Sequence, residues 1–521
     1  MMCRQVSLLL LMSVLLGLGR SQCDTTVTGN NLRDCPMTSY DGSSGRVDLH
    51  LMPMEFKTVG ASYVTRAYAG NNGIPTIPGP IIYLRQNSQL KIRLHNDLGA
   101  DQTPHGTLIN GLFEPNTTNL HTHGLHVSSE EPEDNVSIRV LPGTTYDYTY
   151  EIGPHEGGTF FYHPHAHGSV TNQIGGGAFG MLIVTDDATN SPYDFIKDLP
   201  QIYVSIFQFA PLDHASVALE SDDTLFAQTS GNMQAKLVLI NGFVQPNIQQ
   251  NPGQWYRWRM QHTATSTILM ASLPGCQIML LALDGIWLTT PRMVTQLVFQ
   301  QPSRADVAIM CPAGGPYQLI DSTAPNTPIA TVSMVSIKET GPTVLDIGQW
   351  NLQRQDYLQD TTNLPASAIA NTPFTISITG TETRSMNGVQ FSGATRDKAL
   401  HIMKPNTIEE WTLDVEQHPL HVHVQPFQLQ SDAPNGFYKK GDWLDTYVGN
   451  GQMVVRSRIP NVYGVVVLHC HVSVHADQGL TGIMWVDGTP KPVKKNSSSI
   501  MFMAHVSAVV TIIVSIILMA L

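Results

Sequence analysis

Short runs of alternating or continuous apolar residues recur through the middle of the chain: LKIRL (90–94), YDYTYEI (146–152), GMLIV (180–184), QIYVSIF (201–207), LVLING (237–242), QWYRWRM (254–260), RADVAIM (304–310), TISITG (375–380) and EEWTLDV (409–415). Each has strand length, and turn residues bound each one. No long amphipathic helix pattern interrupts them, so the body reads as all-β, with sandwiches or barrels in series. Residues 341–373, polar and rich in Gln, Asp and Thr, read as a linker between the second and third units. A first boundary falls near residues 186–200.

The two ends break this pattern. Residues 1–22 have a short basic start, an apolar run from 6 to 18 and small residues before Cys23, which is the layout of a cleaved signal peptide. The apolar run falls short of the roughly 20 residues that a bilayer demands. Residues 500–521 are long enough to span a membrane, and the polar spacer before them fits a clipped lipid-anchor signal equally well. Both readings put the protein on the extracellular side of the cell surface, held to a membrane, with a secreted form as the alternative.

The remaining stretch of about 475 residues exceeds what one core serves, so two or three domains are expected. A formal charge of −12 argues against a nucleic-acid partner. Three sequons, at Asn116, Asn135 and Asn496, are compatible with glycosylation. The 21 methionines are dispersed and read as packing residues. Loss of Cys3 with the signal leaves five cysteines, for which the expected pairs are Cys23 with Cys35 and Cys276 with Cys311. Cys470 is then left over, and an unpaired thiol in an oxidising compartment is best protected as a metal-bound thiolate.

Of 20 histidines, 12 fall in four tight groups: HTHGLH (121–126), HPHAH (163–167), HPLHVH (418–423) and HCHVSVH (469–475). Residues two apart on a strand share a face, so His469 and His471 point one way and Cys470 the other. One tripeptide can thus serve two metal sites. A thiolate with imidazoles is the ligand set of a blue copper site. Cys470 and His475 supply two of its members, and His418 is the natural third. The remaining His-x-His pairs offer eight imidazoles, a number that suits three coppers.

In this order, the four motifs resemble those of the multicopper oxidases, the family of laccases, ascorbate oxidase, ferroxidases and cuprous oxidases. IPGPII (77–82) looks like the family's first-domain opening, while LVLINGFVQP, GQWYRWRM, LALDGIWL and SRADVAIM look like its second domain. The resemblance implies three consecutive cupredoxin-like Greek-key β-sandwich domains, at residues 46–186, 200–340 and 371–490. It also implies four copper ions per chain. Carried over position by position, the type 1 ligands are His418, Cys470 and His475, and the type 2 pair is His121 and His421. The type 3 ligands are His123, His163, His165, His423, His469 and His471. Leu480, ten residues after the cysteine, takes the axial position without a sulfur donor, which implies a raised reduction potential. His126 is out of phase with its neighbours and is not expected to bind metal. His167 shares the phase of His163 and His165, yet the family motif uses only two, so a hydrogen-bonding role is expected for it.

The implied chemistry is one-electron oxidation of a donor, electron passage through Cys470, His469 and His471, and four-electron reduction of dioxygen to water. Many bacterial members carry a proton-delivering glutamate after the last histidine, and here that residue is Ala476. Asp134 is the candidate to replace it, set against the plain alternative of a solvated loop acid, with Asp477 as second choice. A laccase-like donor, a phenol or an aromatic amine, is favoured by Leu480 and the extracellular setting. The rival is a ferroxidase or cuprous oxidase, which needs carboxylates near His418 and His475, such as Asp414, Glu416 or Asp442. A non-enzymatic copper-binding surface protein would be expected to lack ligands, and a two-domain nitrite reductase would be shorter.

Overall fold

The computed structural model describes residues 23–102, 106–189, 192–370, 373–380 and 383–489. The expected signal peptide, the C-terminal apolar segment and the sequon at Asn496 lie outside the described residues. Among the described residues no helix is long and apolar enough to cross a membrane.

Six sheets pack as three β-sandwiches. The apolar runs become strands: GMLIV and RADVAIM coincide with Gly180–Val184 and Arg304–Met310, and LKIRL lies inside Ser88–Asn96. Alternation explains why. In Arg46–Thr58, Val47, Leu49 and Leu51 are buried while their neighbours are not, and the parallel strand Ser88–Asn96 buries Leu90, Ile92 and Leu94. Each such side chain contributes about 1.5–3 kcal/mol when it leaves water. The second sandwich buries Trp258, whose indole N–H donates to Gln250 at 3.1 Å and so carries no unpaired polar atom inward.

The sheets run across the boundaries expected from the sequence. Strand Ser39–Asp41, upstream of residue 46, pairs with Gly79–Leu84. Strand Ala227–Gly231, from the second segment, extends the first sandwich by pairing with Ala61–Ala69. Residues 341–373 also do more than link. Trp350 donates to the carbonyl oxygens of Leu288 and Thr289, Arg354 donates to that of Trp287, and the ring of Tyr357 stacks on His126 at 4.1 Å. This stretch therefore packs on the first and second sandwiches.

Both expected disulfides are present, Cys23–Cys35 and Cys276–Cys311, and Cys470 is free and buried. The sequon at Asn116 needs correction as a glycosylation site. Asn116 is buried, its side-chain oxygen accepts from Arg66 at 3.2 Å, and its backbone N–H donates to Asp101. A glycan has no room there.

A buried charge network joins the first two sandwiches. Arg257 donates to Asp186 at 2.6 Å and to Asp306 at 2.8 Å, Arg259 donates to Asp186 at 2.5 Å, and Thr159 donates to Asp306. Such a network stabilises little in total, because desolvation offsets the attraction, but removing one member strands the others. Asp306→Ala should therefore cost about 3–5 kcal/mol, seen as a lower thermal unfolding midpoint. Asp306→Asn should cost less, and a midpoint unchanged in both variants would contradict this account of the interface.

Candidate metal centres

The four histidine motifs lie on two strand pairs of identical register. In the first sandwich, His121–His123 runs antiparallel to Gly158–His163, with His121 opposite His163. In the third, Leu420–Val422 runs antiparallel to Tyr463–Cys470, with His421 opposite His469. The two pairs face each other across the interface between the sandwiches. His121 stacks on His423 with ring centroids 3.9 Å apart, and His123 stacks on His421 at 3.6 Å. The His-x-His spacing thus puts both rings of each motif into a single shared centre.

Three all-histidine ligand sets result, each with donor atoms within 4.8 Å of one another: His123, His163 and His471; His121, His123 and His421, which shares His123; and His165, His423 and His469; a fourth joins His121 and His423 with Asp134. All these rings are buried. A separate set on the other side of Cys470 holds its sulfur 3.4 Å from His418 Nδ1 and 3.6 Å from His475 Nδ1. His475 sits on the short helix Ser473–Asp477, which turns its ring back to the cysteine. Leu480 is fully buried in the same core, and its carbonyl oxygen accepts the Cys470 N–H at 3.1 Å.

Hydrogen bonds hold one nitrogen of many of these rings and leave the other for the centre. At Nδ1, His121 is held by Asp134 (2.8 Å), His163 by the Pro164 oxygen (2.9 Å), His421 by the Asp445 oxygen (2.9 Å) and His469 by the Cys470 oxygen (3.0 Å). The Nε2 atoms of His121, His421 and His423, and both nitrogens of His471, have no hydrogen-bond partner although buried. His165 and His469 bring their Nε2 atoms to 3.1 Å. Buried, unpaired polar atoms cost about 1–3 kcal/mol each, and coordination to a cation removes that cost. Burial, then the neighbouring histidines, push His121, His123, His165, His423 and His471 well below the usual imidazole range. Burial likewise brings His469 down to about 3. These rings are neutral ligands at physiological pH. Burial pushes the Cys470 thiol up to about 12, so a metal has to displace its proton. The donor sets fit the type 1, type 2 and type 3 copper sites of a multicopper oxidase.

The other residues singled out in the sequence separate cleanly. His126 donates from Nδ1 to the Val424 oxygen at 2.7 Å and stacks on Tyr357, outside every ligand set. His167 pairs with Asn110 at 3.0 Å. The alternative of Asp134 as a solvated loop acid is corrected: it is buried and also accepts from the Thr122 N–H and hydroxyl. Burial outweighs those bonds and pushes its carboxyl up to about 7. Asp477 instead accepts from the N–H groups of Gly168 and Thr171 at the start of helix Val170–Gly176, tying the fourth motif to the second. Sequence reasoning missed Asp445 and Arg304, a buried pair beside His123, and Arg384, whose guanidinium donates to Gln478 at 2.6 Å. Arg304 stands in SRADVAIM, which reads only as a strand of the second domain, and Asp445 and Arg384 stand outside every motif singled out.

Two models described as multicopper oxidase match residues 57–189 and 360–489, which fall on the two sandwiches that carry the histidines. The chain is 22% identical over 436 residues to multicopper oxidase Mco of Staphylococcus aureus, covering 80% of this chain and 83% of that one. It is 24% identical over 491 residues to laccase-1 of Botryotinia fuckeliana, covering 81% and 79%. A solved multicopper oxidase of Campylobacter jejuni, described as a metallo-oxidase, shares the fold with a TM-score of 0.65 at 19% identity, covering 90% of this chain and 96% of that one. Fold and donor sets together define a copper enzyme. The chain belongs to the multicopper oxidase family, whose members oxidise a reducing substrate with dioxygen as acceptor.

Asp134 holds His121 and, with its raised pKa, can carry a proton near neutral pH. Asp134→Asn is expected to slow oxygen reduction per bound copper and to alter its pH profile. Equal rates at every pH would reduce Asp134 to an anchor for the ring.

Proposed function

We propose that the chain is a laccase-like oxidase of phenols or aromatic amines, acting through His418, Cys470 and His475 on one side and eight imidazoles shared between the first and third sandwiches on the other. Of those eight, the type 2 pair is His121 and His421, and the type 3 set is His123, His163, His165, His423, His469 and His471. Bound copper supplies one-electron oxidation of the donor and four-electron reduction of dioxygen to water. The observation that carries the reading is the continuity of HCH: the residues flanking Cys470 reach into the shared histidine centre while its sulfur faces His418 and His475.

The chain's own residues do the rest. The buried, hydrogen-bonded rings hold a fixed geometry, so little rearrangement accompanies electron transfer. Leu480 closes the type 1 side with an apolar group. Asp134 stands as the proton carrier nearest His121.

The donor class follows from the charges at the rim. Burial chiefly, and the Arg384 charge in addition, lower the basicity of both His418 and His475, with Glu416 acting the other way on His418. A metal cation is repelled by Arg384, whereas a neutral or phenolate donor is not. Asp442, one of the three carboxylates suggested for the metal-oxidase alternative, is taken by Arg292 at 2.7 and 2.9 Å. Glu416 favours the ferroxidase or cuprous oxidase reading instead: it accepts the Gly380 N–H at 2.6 Å, and the Gly380 oxygen lies 3.4 Å from His418 Nε2. The disulfides and the protected thiol support work outside the cell, with residues 500–521 as the membrane tether or lipid-anchor signal. The three domains proposed are residues 46–186, 200–340 and 371–490.

Oxygen uptake measured side by side with a phenol, an aromatic amine, ferrous ion and cuprous ion should give the highest kcat/KM with an organic donor. Faster turnover of either metal ion would overturn the donor assignment. Leu480→Met should lower the type 1 reduction potential in spectroelectrochemistry, and an unchanged or raised potential would remove Leu480 from the axial position.

A further inference from the structure

The second sandwich supplies none of the residues in the ligand sets, yet one of its side chains reaches the shared centre. Arg304, fully buried at the start of strand Arg304–Met310, donates from Nη1 to Asp445 Oδ1 at 3.0 Å, and its Nη2 contacts the other carboxylate oxygen. The same Nη2 donates to the Asp284 carbonyl oxygen at 3.0 Å. The Asp284 carboxylate in turn accepts the N–H groups of Asp445 and Thr446, at 3.3 and 3.2 Å. Asp445 is thus gripped on both its side chain and its backbone by the second sandwich.

Two imidazoles rest on Asp445. Its Oδ1 lies 3.2 Å from His123 Nε2, and its backbone oxygen takes His421 Nδ1 at 2.9 Å. His123 differs from its neighbours here. His121, His163, His421 and His469 are held at Nδ1, whereas His123 is held at Nε2 and turns Nδ1 toward His163 Nε2, 3.5 Å away. A ring that offers Nδ1 to a metal must keep its proton on Nε2, and a carboxylate acceptor fixes that tautomer. The residue after His123 makes space for the arrangement. Gly124 has φ +90°, and a Cβ there would sit 2.4 Å from Arg304 Nη2 and 2.9 Å from an Asp445 oxygen. The glycine of HTHG is therefore needed both for its backbone and for the ion pair.

Stability alone does not account for the pair, since a buried ion pair is often replaceable by apolar residues at no cost. What an apolar replacement cannot supply is an acceptor for His123 Nε2. We propose that Arg304 and Asp445 are positioning residues through which the second sandwich fixes the tautomer and orientation of His123, and the anchor of His421, for metal capture at the shared centre. This rests on reading that centre as the copper cluster.

The test compares the full-length wild type with the double variant Arg304→Met/Asp445→Leu, which removes both partners of the pair and leaves Asp284, 3.5 Å from the Arg304 guanidinium, as the one carboxylate deprived of that cation. After copper loading, the measurements are copper per chain, the blue band of the type 1 site, the near-ultraviolet band of the type 3 pair and the type 2 paramagnetic signal. The proposal expects an unchanged blue band, loss of more than half of the type 3 band and type 2 signal, and a matching fall in copper. Arg304→Lys should restore most of both signals, because it keeps a cation against Asp445. A double variant with full copper and wild-type type 2 and type 3 signals overturns the proposal. If the double variant does not fold, the isosteric Asp445→Asn decides: weakened type 2 and type 3 signals with an intact blue band support it, and wild-type signals or an equal loss of all three overturn it. A wild-type chain that takes up no copper would instead remove the functional reading beneath it.

Discussion

Neutral imidazoles packed with their ring nitrogens toward one another form an arrangement that only a cation makes favourable. Each ring has been stripped of water, several buried nitrogens have no hydrogen-bond partner, and the Nε2 atoms of His165 and His469 approach to 3.1 Å. Desolvation keeps rings such as His121 and His469 uncharged, which is the protonation state that a metal needs. The surrounding structure provides the rigidity that holds such a set in place: paired strands of matched register, crosswise stacking of the two His-x-His motifs, and an anchor on the far nitrogen of several rings.

This constraint explains the division of labour among the sandwiches. The first and third contribute two motifs each and meet at the shared centre, so neither alone completes it. The second contributes structure: the Arg257 and Arg259 network against the first sandwich, and Arg304 against the third. Residues 341–373 complete the clasp by packing Trp350, Arg354 and Tyr357 on the first two sandwiches. The fourth motif gains its two-sided character from strand alternation ending at Cys470, followed at once by the helix that returns His475.

Much of this was legible in the chain because it depends on short-range periodicity. Strand alternation located the sheets, His-x-His spacing located the rings, and the odd cysteine count left after two expected pairs singled out Cys470. Asp134 was identified by proximity in sequence, although its burial was not, since burial depends on what folds over the loop. Features made by distant residues were not readable. Arg304 and Asp445 lie 141 positions apart, and nothing in SRADVAIM or around Asp445 announces that they pair. Strand Ala227–Gly231 joins a sheet of the preceding sandwich, which no local signal announces. The Asn116 sequon reads as a surface motif, yet tertiary packing against Arg66 puts it inside. The charges around His418 are less legible still, with Arg384 and Glu416 acting on it in opposite directions.

The central claim is that one copper sits on the sulfur side of Cys470 and three on its histidine side. Anomalous diffraction from crystals of the copper-loaded protein, collected on both sides of the copper absorption edge, tests it most directly. The account predicts one peak among His418, Cys470 and His475 and three among His121, His123, His163, His165, His421, His423, His469 and His471. Fully loaded crystals lacking the peak at Cys470, or showing their copper away from these residues, would contradict it.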